Sequence, residues 1–186
     1  MPFLLSILLL LFLLPEVARA QQGSGAASGG ERFSMEASIR ISGNVITRTG
    51  GENILFDTIY DVNFEQTRAG QTVITVDPIT DFAAADAGAG YVVAKGAPNA
   101  EFQLTFSREV VLRHATERDN VLIVRYLLSG NSIPEQENAA YVLEAAPRFR
   151  LNADGEFHFW VGGMVDISKA IRGEYEGEFT LEVEYL

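Results

Sequence analysis

The chain has 186 residues, with 14 Lys+Arg against 25 Asp+Glu and a net charge of −11. That acidity, with no cluster of Lys or Arg, argues against nucleic-acid partners and anionic membrane surfaces, whose phosphates would repel it. The lack of cysteine excludes a disulfide framework, a thiolate metal site, a Cys nucleophile and a lipid-modified Cys anchor.

Residues 3–14 (FLLSILLLLFLL) form one apolar run, short of the roughly 20 residues a membrane-spanning helix needs. Val17-Ala18-Arg19-Ala20 follows, and Ala18 with Ala20 supplies the small-x-small pattern of a signal-peptidase site. The expectation is a signal peptide over residues 1–20, cut between Ala20 and Gln21, and therefore an exported protein with no transmembrane segment in the mature chain. No Lys or Arg precedes the apolar run, a departure from the usual pattern. Residues 21–32 (QQGSGAASGGER) contain no large apolar side chain. They cannot bury enough surface to offset chain entropy and are expected to be a flexible linker. Residues 33–186 then make a single domain.

From Phe33 onward the apolar period is two. Phe33, Met35, Ala37, Ile39 and Ile41 alternate with polar residues, as in a strand with one buried face. Residues 55–59 read as a short strand, and residues 72–76 (TVITV) as a β-branched one stopped at Asp77-Pro78. Residues 91–94 follow, then Phe102, Leu104 and Phe106, then Val110 and Leu112. Residues 121–128 (VLIVRYLL) form a longer apolar run that suits a central strand covered on both faces. Residues 135–146 hold the one stretch of ambiguous helical period. Residues 141–143, Phe149 and Leu151 lead to the turn at Asn152-Ala153-Asp154-Gly155, after which Phe157, Phe159 and Val161 run into Gly162-Gly163. In the last segment Tyr175, Gly177, Phe179, Leu181, Val183 and Tyr185 alternate with Glu174, Glu176, Glu178, Thr180, Glu182 and Glu184. One face is apolar and the other almost wholly acidic. Many short strands between Gly, Asn, Asp and Pro turns predict an all-β sandwich.

The run 157–164 (FHFWVGGM), then 173–185 (GEYEGEFTLEVEY), resembles the ending of a bacterial exported family, the domain of unknown function 4402. That family closes on V-G-G-x-L and then G-x-Y-x-G-x-F-T-V-x-V-x-Y. Residues 55–59, 72–78 and 100–102 fit its order of earlier pieces. Asp57 departs from the family's F-G-x-I strand, and the glutamates of the last strand replace its more usual Thr, Ser or Asn. The resemblance implies an immunoglobulin-like antiparallel sandwich related to pilin and spore-coat-U-type subunits, and it carries no catalytic residues.

The residues themselves suggest no enzyme. His114 and His158 share no ligand spacing, and His158 is expected to face away from Phe157 and Phe159, exposed or half-buried beside Trp160. No G-x-S-x-G is present, and Gly88-Ala89-Gly90 lacks the Lys and helix start of a phosphate loop. Asn152, Asp154 and Glu156 read as a β-turn rather than half a calcium loop. The glutamate stripe has the spacing of an inverting glycosidase pair, about 6.5–9.5 Å, as does every i, i+2 pair on a strand, and it reads as a solvated face. Arg148 and Arg150 share a face and are expected opposite part of that stripe. No catalytic residue, metal ligand or cofactor is implied. Three functions follow: a structural or surface-display domain of the bacterial envelope, a fimbrial subunit assembling by strand donation, or a secreted carbohydrate-binding module using Trp160 and tyrosines. The partners expected are other copies of the chain or envelope proteins.

Overall fold

Alternating apolar side chains need a second layer to bury against, and among the described residues twelve strands supply it over one core. The computed structural model describes residues 35–46 as a backbone strand, and residues 54–65, 70–84, 88–143 and 146–186 in full. The expected signal segment, the Ala20–Gln21 cleavage point, the linker and the start of the first alternating run lie outside the described residues. In chain order the strands are β1 (Met35–Ile46), β2 (Leu55–Tyr60), β3 (Val62–Glu65), β4 (Val73–Val76), β5 (Gly90–Lys95), β6 (Glu101–Phe106) and β7 (Glu109–His114). Then come β8 (Val121–Asn131), β9 (Ala140–Tyr141), β10 (Arg148–Arg150), β11 (Glu156–Asp166) and β12 (Gly173–Tyr185).

One layer runs β7-β8-β11-β5-β2, with β4 beside the end of β11 and β9 beside β8. The other runs β10-β6-β12-β1-β3. Two seams join them. β12 pairs briefly with β7 at Tyr175↔His114 and Glu176↔Arg113, and the chain passes from β2 to β3 through Asp61, next to a register shift between Thr58 and Tyr60. A bend or bulge of this kind is how a strand leaves one sheet for another. Among the described residues every strand pairing is antiparallel except β1 with β12, which run parallel from Met35↔Gly173 to Ile46↔Glu184. β1 also pairs with β3. The architecture is the expected all-β antiparallel sandwich.

Phenylalanines from both layers meet in the core. Phe102 on β6 packs edge-on to Phe157 and Phe159 of β11, and Tyr126 on β8 lies 4.1 Å, centroid to centroid, from Phe179 on β12. Offset and edge contacts of this sort add to the burial of large rings. β12 alternates as its sequence predicts: Tyr175, Phe179, Leu181 and Val183 are buried, while Glu174, Glu176, Glu178 and Glu182 are exposed.

Several expectations are corrected. β8 is central, but its outward residues Val121 and Ile123 are 44% and 54% exposed, so it is not covered on both faces over its first half. The doubly covered strand is β11, buried from Phe157 through Gly163. Its continuation past the glycines follows from what crosses it: a Cβ at Gly162 would stand 2.2 Å from the Val76 carbonyl oxygen and 3.0 Å from Pro78. Only glycine lets that chain pass so close. Arg148 and Arg150 do not oppose the glutamate stripe, because β10 pairs with β6 and places Arg150 across from Glu101, to which it is ion-paired. Within residues 135–146 the described helix is one 3-10 turn, Gln136–Asn138.

Candidate functional site

Strand parity sends His158 and Trp160 to the face of β11 opposite Phe157 and Phe159. The register sets Trp160 beside Tyr91 of β5 and Tyr91 beside Tyr60 of β2. The result is a row of rings across three strands. Tyr91 stacks on Trp160 with centroids 5.3 Å apart and planes 11° apart, and on His158 at 6.0 Å; Tyr60 follows at 6.5 Å. His158 is 3% exposed and Trp160 3%. The expected exposed or half-buried histidine is therefore a buried one; beyond it, at Trp160 and Gly162, a strap of chain crosses this face.

The strap is residues 77–84, and Gln136 holds it. Its side-chain amide nitrogen donates to the carbonyls of Pro78 at 3.1 Å and Asp81 at 3.0 Å, and its oxygen accepts from the Ala83 N–H at 3.0 Å. Ser129 adds a hydroxyl bond to the Pro78 carbonyl at 3.0 Å. Asp77 starts the strap by accepting from the N–H groups of Ile79 and Thr80 and from the Tyr141 hydroxyl at 2.6 Å. Burial pushes the Asp77 carboxyl up, but the hydrogen bonds from Tyr141, Ile79 and Thr80 outweigh it and hold it below the usual range. Between strap and rings lies a depression of about 270 Å³ lined by Tyr60, Phe82, Tyr91, Gln136 and Trp160.

His158 Nδ1 and the Tyr91 hydroxyl are 2.8 Å apart. With the proton on Nε2, the hydroxyl donates to Nδ1. Nε2 has no hydrogen-bond partner among the described residues and lies 3.9 Å from a Glu156 carboxylate oxygen. Burial lowers the imidazole below its ordinary pKa, against a smaller upward pull from Glu156; Lys95 adds a further downward push. The ring is 3% exposed and stacked on Tyr91, as a packing side chain would be.

His114 is also structural. Its Nδ1 accepts from the Glu117 N–H at 3.0 Å, which leaves the proton on Nε2 to be donated to the Arg172 carbonyl at 3.1 Å. That ties the 115–120 turn to the start of β12. Gly173, at φ 140°, makes room for the ring: a Cβ there would stand 2.3 Å from Nε2. Asn152 forms the turn predicted from its sequence, its side-chain oxygen accepting the N–H groups of Asp154 and Glu156, each at 2.9 Å.

The acidic stripe of β12 meets arginine on its other side. Register places Glu176 against Arg113 of β7. A groove of about 440 Å³ at that seam is lined by Asp61, Arg113, Arg118, Glu176 and Glu178. Among the described residues no group of three or more His, Asp or Glu side chains is arranged to hold a metal ion. Sequence reasoning missed Gln136 and Arg113, whose roles arise from pairings 53 and 63 residues away along the chain. It named Trp160 and the tyrosines but could not bring them together. Compared with known proteins, the chain matches no family model and no curated protein.

Proposed function

We propose that the chain is an exported, non-catalytic structural or surface-display domain of the bacterial cell envelope. Export rests on the apolar segment and Ala18-Arg19-Ala20 that open the sequence, and the envelope role on the resemblance of its last two strands to the exported family. The observation that carries this reading over strand donation is the seat of β1. A donated strand has no place in its own sheet, whereas β1 pairs along its full length with β12 and again with β3. A carbohydrate-binding module would offer ring faces to solvent; here Trp160 is 3% exposed.

The test is to fractionate producing cells and run the recovered protein in detergent without heating. A single monomer- or dimer-sized band in an exported fraction, beginning at Gln21, is the expected result. A ladder that collapses on heating would replace this reading with the fimbrial one, and retention of residues 1–20 in the cytoplasm would remove both.

A further inference from the structure

The depression between the 77–84 strap and the ring row is lined mainly by aromatic side chains. Tyr60 of β2, Tyr91 of β5, Trp160 of β11 and Phe82 of the strap all border its volume of about 270 Å³. Trp160 is buried and Tyr60 and Tyr91 are half-buried, but Phe82 is 65% exposed. One wall of the pocket is therefore a ring still open to an occupant.

The rest of the lining restricts what that occupant can be. Among the described residues no Lys, Arg or His borders the pocket, and Glu137 is its one acidic side chain. The strap carries Asp77 and Asp81, and the whole chain carries −11, so an anion is repelled and a cation drawn in. A sugar or a primary amine needs hydrogen-bond partners to replace the water it loses. The Gln136 amide is already engaged by Pro78, Asp81 and Ala83, and the Tyr91 hydroxyl by His158. A quaternary ammonium has no N–H to satisfy, and aromatic rings attract its charge through their quadrupoles. The volume lies just below the roughly 300–1,000 Å³ of sites for drug-sized ligands, which suits a compact head group.

We propose that this pocket binds a free quaternary ammonium compound of the choline type, held by the rings of Tyr60, Phe82, Tyr91 and Trp160, with Glu137 balancing its charge. The same head group on a phosphatidylcholine lipid brings a phosphate with it, which the acidic surroundings disfavour. The assignment does not rest on the envelope reading and is unaffected by its failure.

Choline is the probe, and dimethylbutanol, its neutral isostere with carbon in place of nitrogen, is the control. Saturation-transfer NMR on the methyl signals of each measures binding to the purified protein. The emission of Trp160, the single tryptophan, locates it. Choline is expected to bind in the millimolar range or tighter and to change that emission, with dimethylbutanol weaker by about tenfold. Phe82 and Glu137 are both exposed, so Phe82→Ala and Glu137→Gln should keep the melting temperature. They should weaken choline by about tenfold and about threefold respectively. No choline binding, equal binding of dimethylbutanol, or choline binding unchanged in Phe82→Ala would each overturn the proposal. Capture on phosphatidylcholine vesicles that free choline does not compete away would overturn it too, by assigning the protein's partner to a lipid surface.

Discussion

β11 and β12 are the hubs of the two layers, and they solve the same problem in opposite ways. Each pairs along one edge with a long strand and along the other with two shorter ones. β12 buries one face and gives water most of the other, so its sequence alternates between apolar residues and, Thr180 excepted, glutamate. β11 buries both, so His158, Trp160 and Gly162 sit where β12 carries charge. The difference lies not in the strands but in what crosses them. Nothing among the described residues covers the glutamates, while the 77–84 strap and Gln136 cover β11. A strand's own sequence reports how many of its faces are dry, but not which remote segment dries them.

The largest expected effect tests the shared inner face. Phe179→Ala should cost about 3–5 kcal/mol and Leu181→Ala about 2–5 kcal/mol in chemical denaturation, through lost burial plus a cavity. Both side chains are at most 1% exposed.

The outer face of β11 should break at its cover. Gln136→Ala removes three hydrogen bonds and leaves the Pro78 and Asp81 carbonyls without that partner; the expected loss is about 1–3 kcal/mol. Trp160 is the chain's single tryptophan, so loosening of the strap should appear as a red shift of its emission. An unshifted spectrum would mean that the strap is held without Gln136.

Tyr126 sharpens the account of the core from the other direction. Its hydroxyl is buried with no hydrogen-bond partner among the described residues, and burial pushes its pKa far up. Tyr126→Phe keeps the ring against Phe179 and removes the orphaned group, so it should stabilise the domain by about 1 kcal/mol. A loss of stability would reveal a partner for that hydroxyl.

The histidine gives β11 a pH dependence. Burial lowers the His158 pKa in the folded state, so the unfolded chain, near the ordinary value of 6.5, binds the proton more readily. The stability contributed by neutral His158 is therefore complete above that value and is lost as pH falls toward the lower folded pKa. Thermal unfolding should show a drop in melting temperature between pH 7.5 and about 5.5, reduced in His158→Gln. An equal drop in the variant would assign the effect to other groups.

On the acidic face the expected change is smallest. Glu178→Gln and Glu182→Gln should each shift stability by no more than about 0.5 kcal/mol, with or without calcium. A calcium-dependent rise in melting temperature that these variants abolish would turn the stripe into a cation site.

The fold class was legible because period-two alternation survives wherever one face meets the core and the other meets water. β12 and the turn at Asn152 were readable for that reason and for their local hydrogen bonding. β3, Val62–Glu65, was not, since it offers two apolar residues and, unlike Val73–Val76, no β-branched run. Val121 and Ile123 misled because β-branched residues look buried in sequence; on the outer face of β8 they are exposed. Arg148 and Arg150 misled because their cross-strand neighbour depends on the β10–β6 pairing, which alternation does not encode. The ring cluster was hidden for the same reason: Tyr60, Tyr91 and Trp160 lie on three strands whose order is set by topology alone.

The central claim is that β1 sits in its own sandwich, parallel to β12, and one covalent test reaches it directly. The chain has no cysteine, so Ser38→Cys with Glu176→Cys introduces a single pair at positions that are register partners. Neighbouring strands are about 4.8 Å apart, within the span a disulfide bridges. Mild oxidation of the dilute protein should give one intramolecular bond and a monomer-sized band without reductant. A covalent ladder under the same conditions would place β1 in a neighbouring molecule and contradict the account.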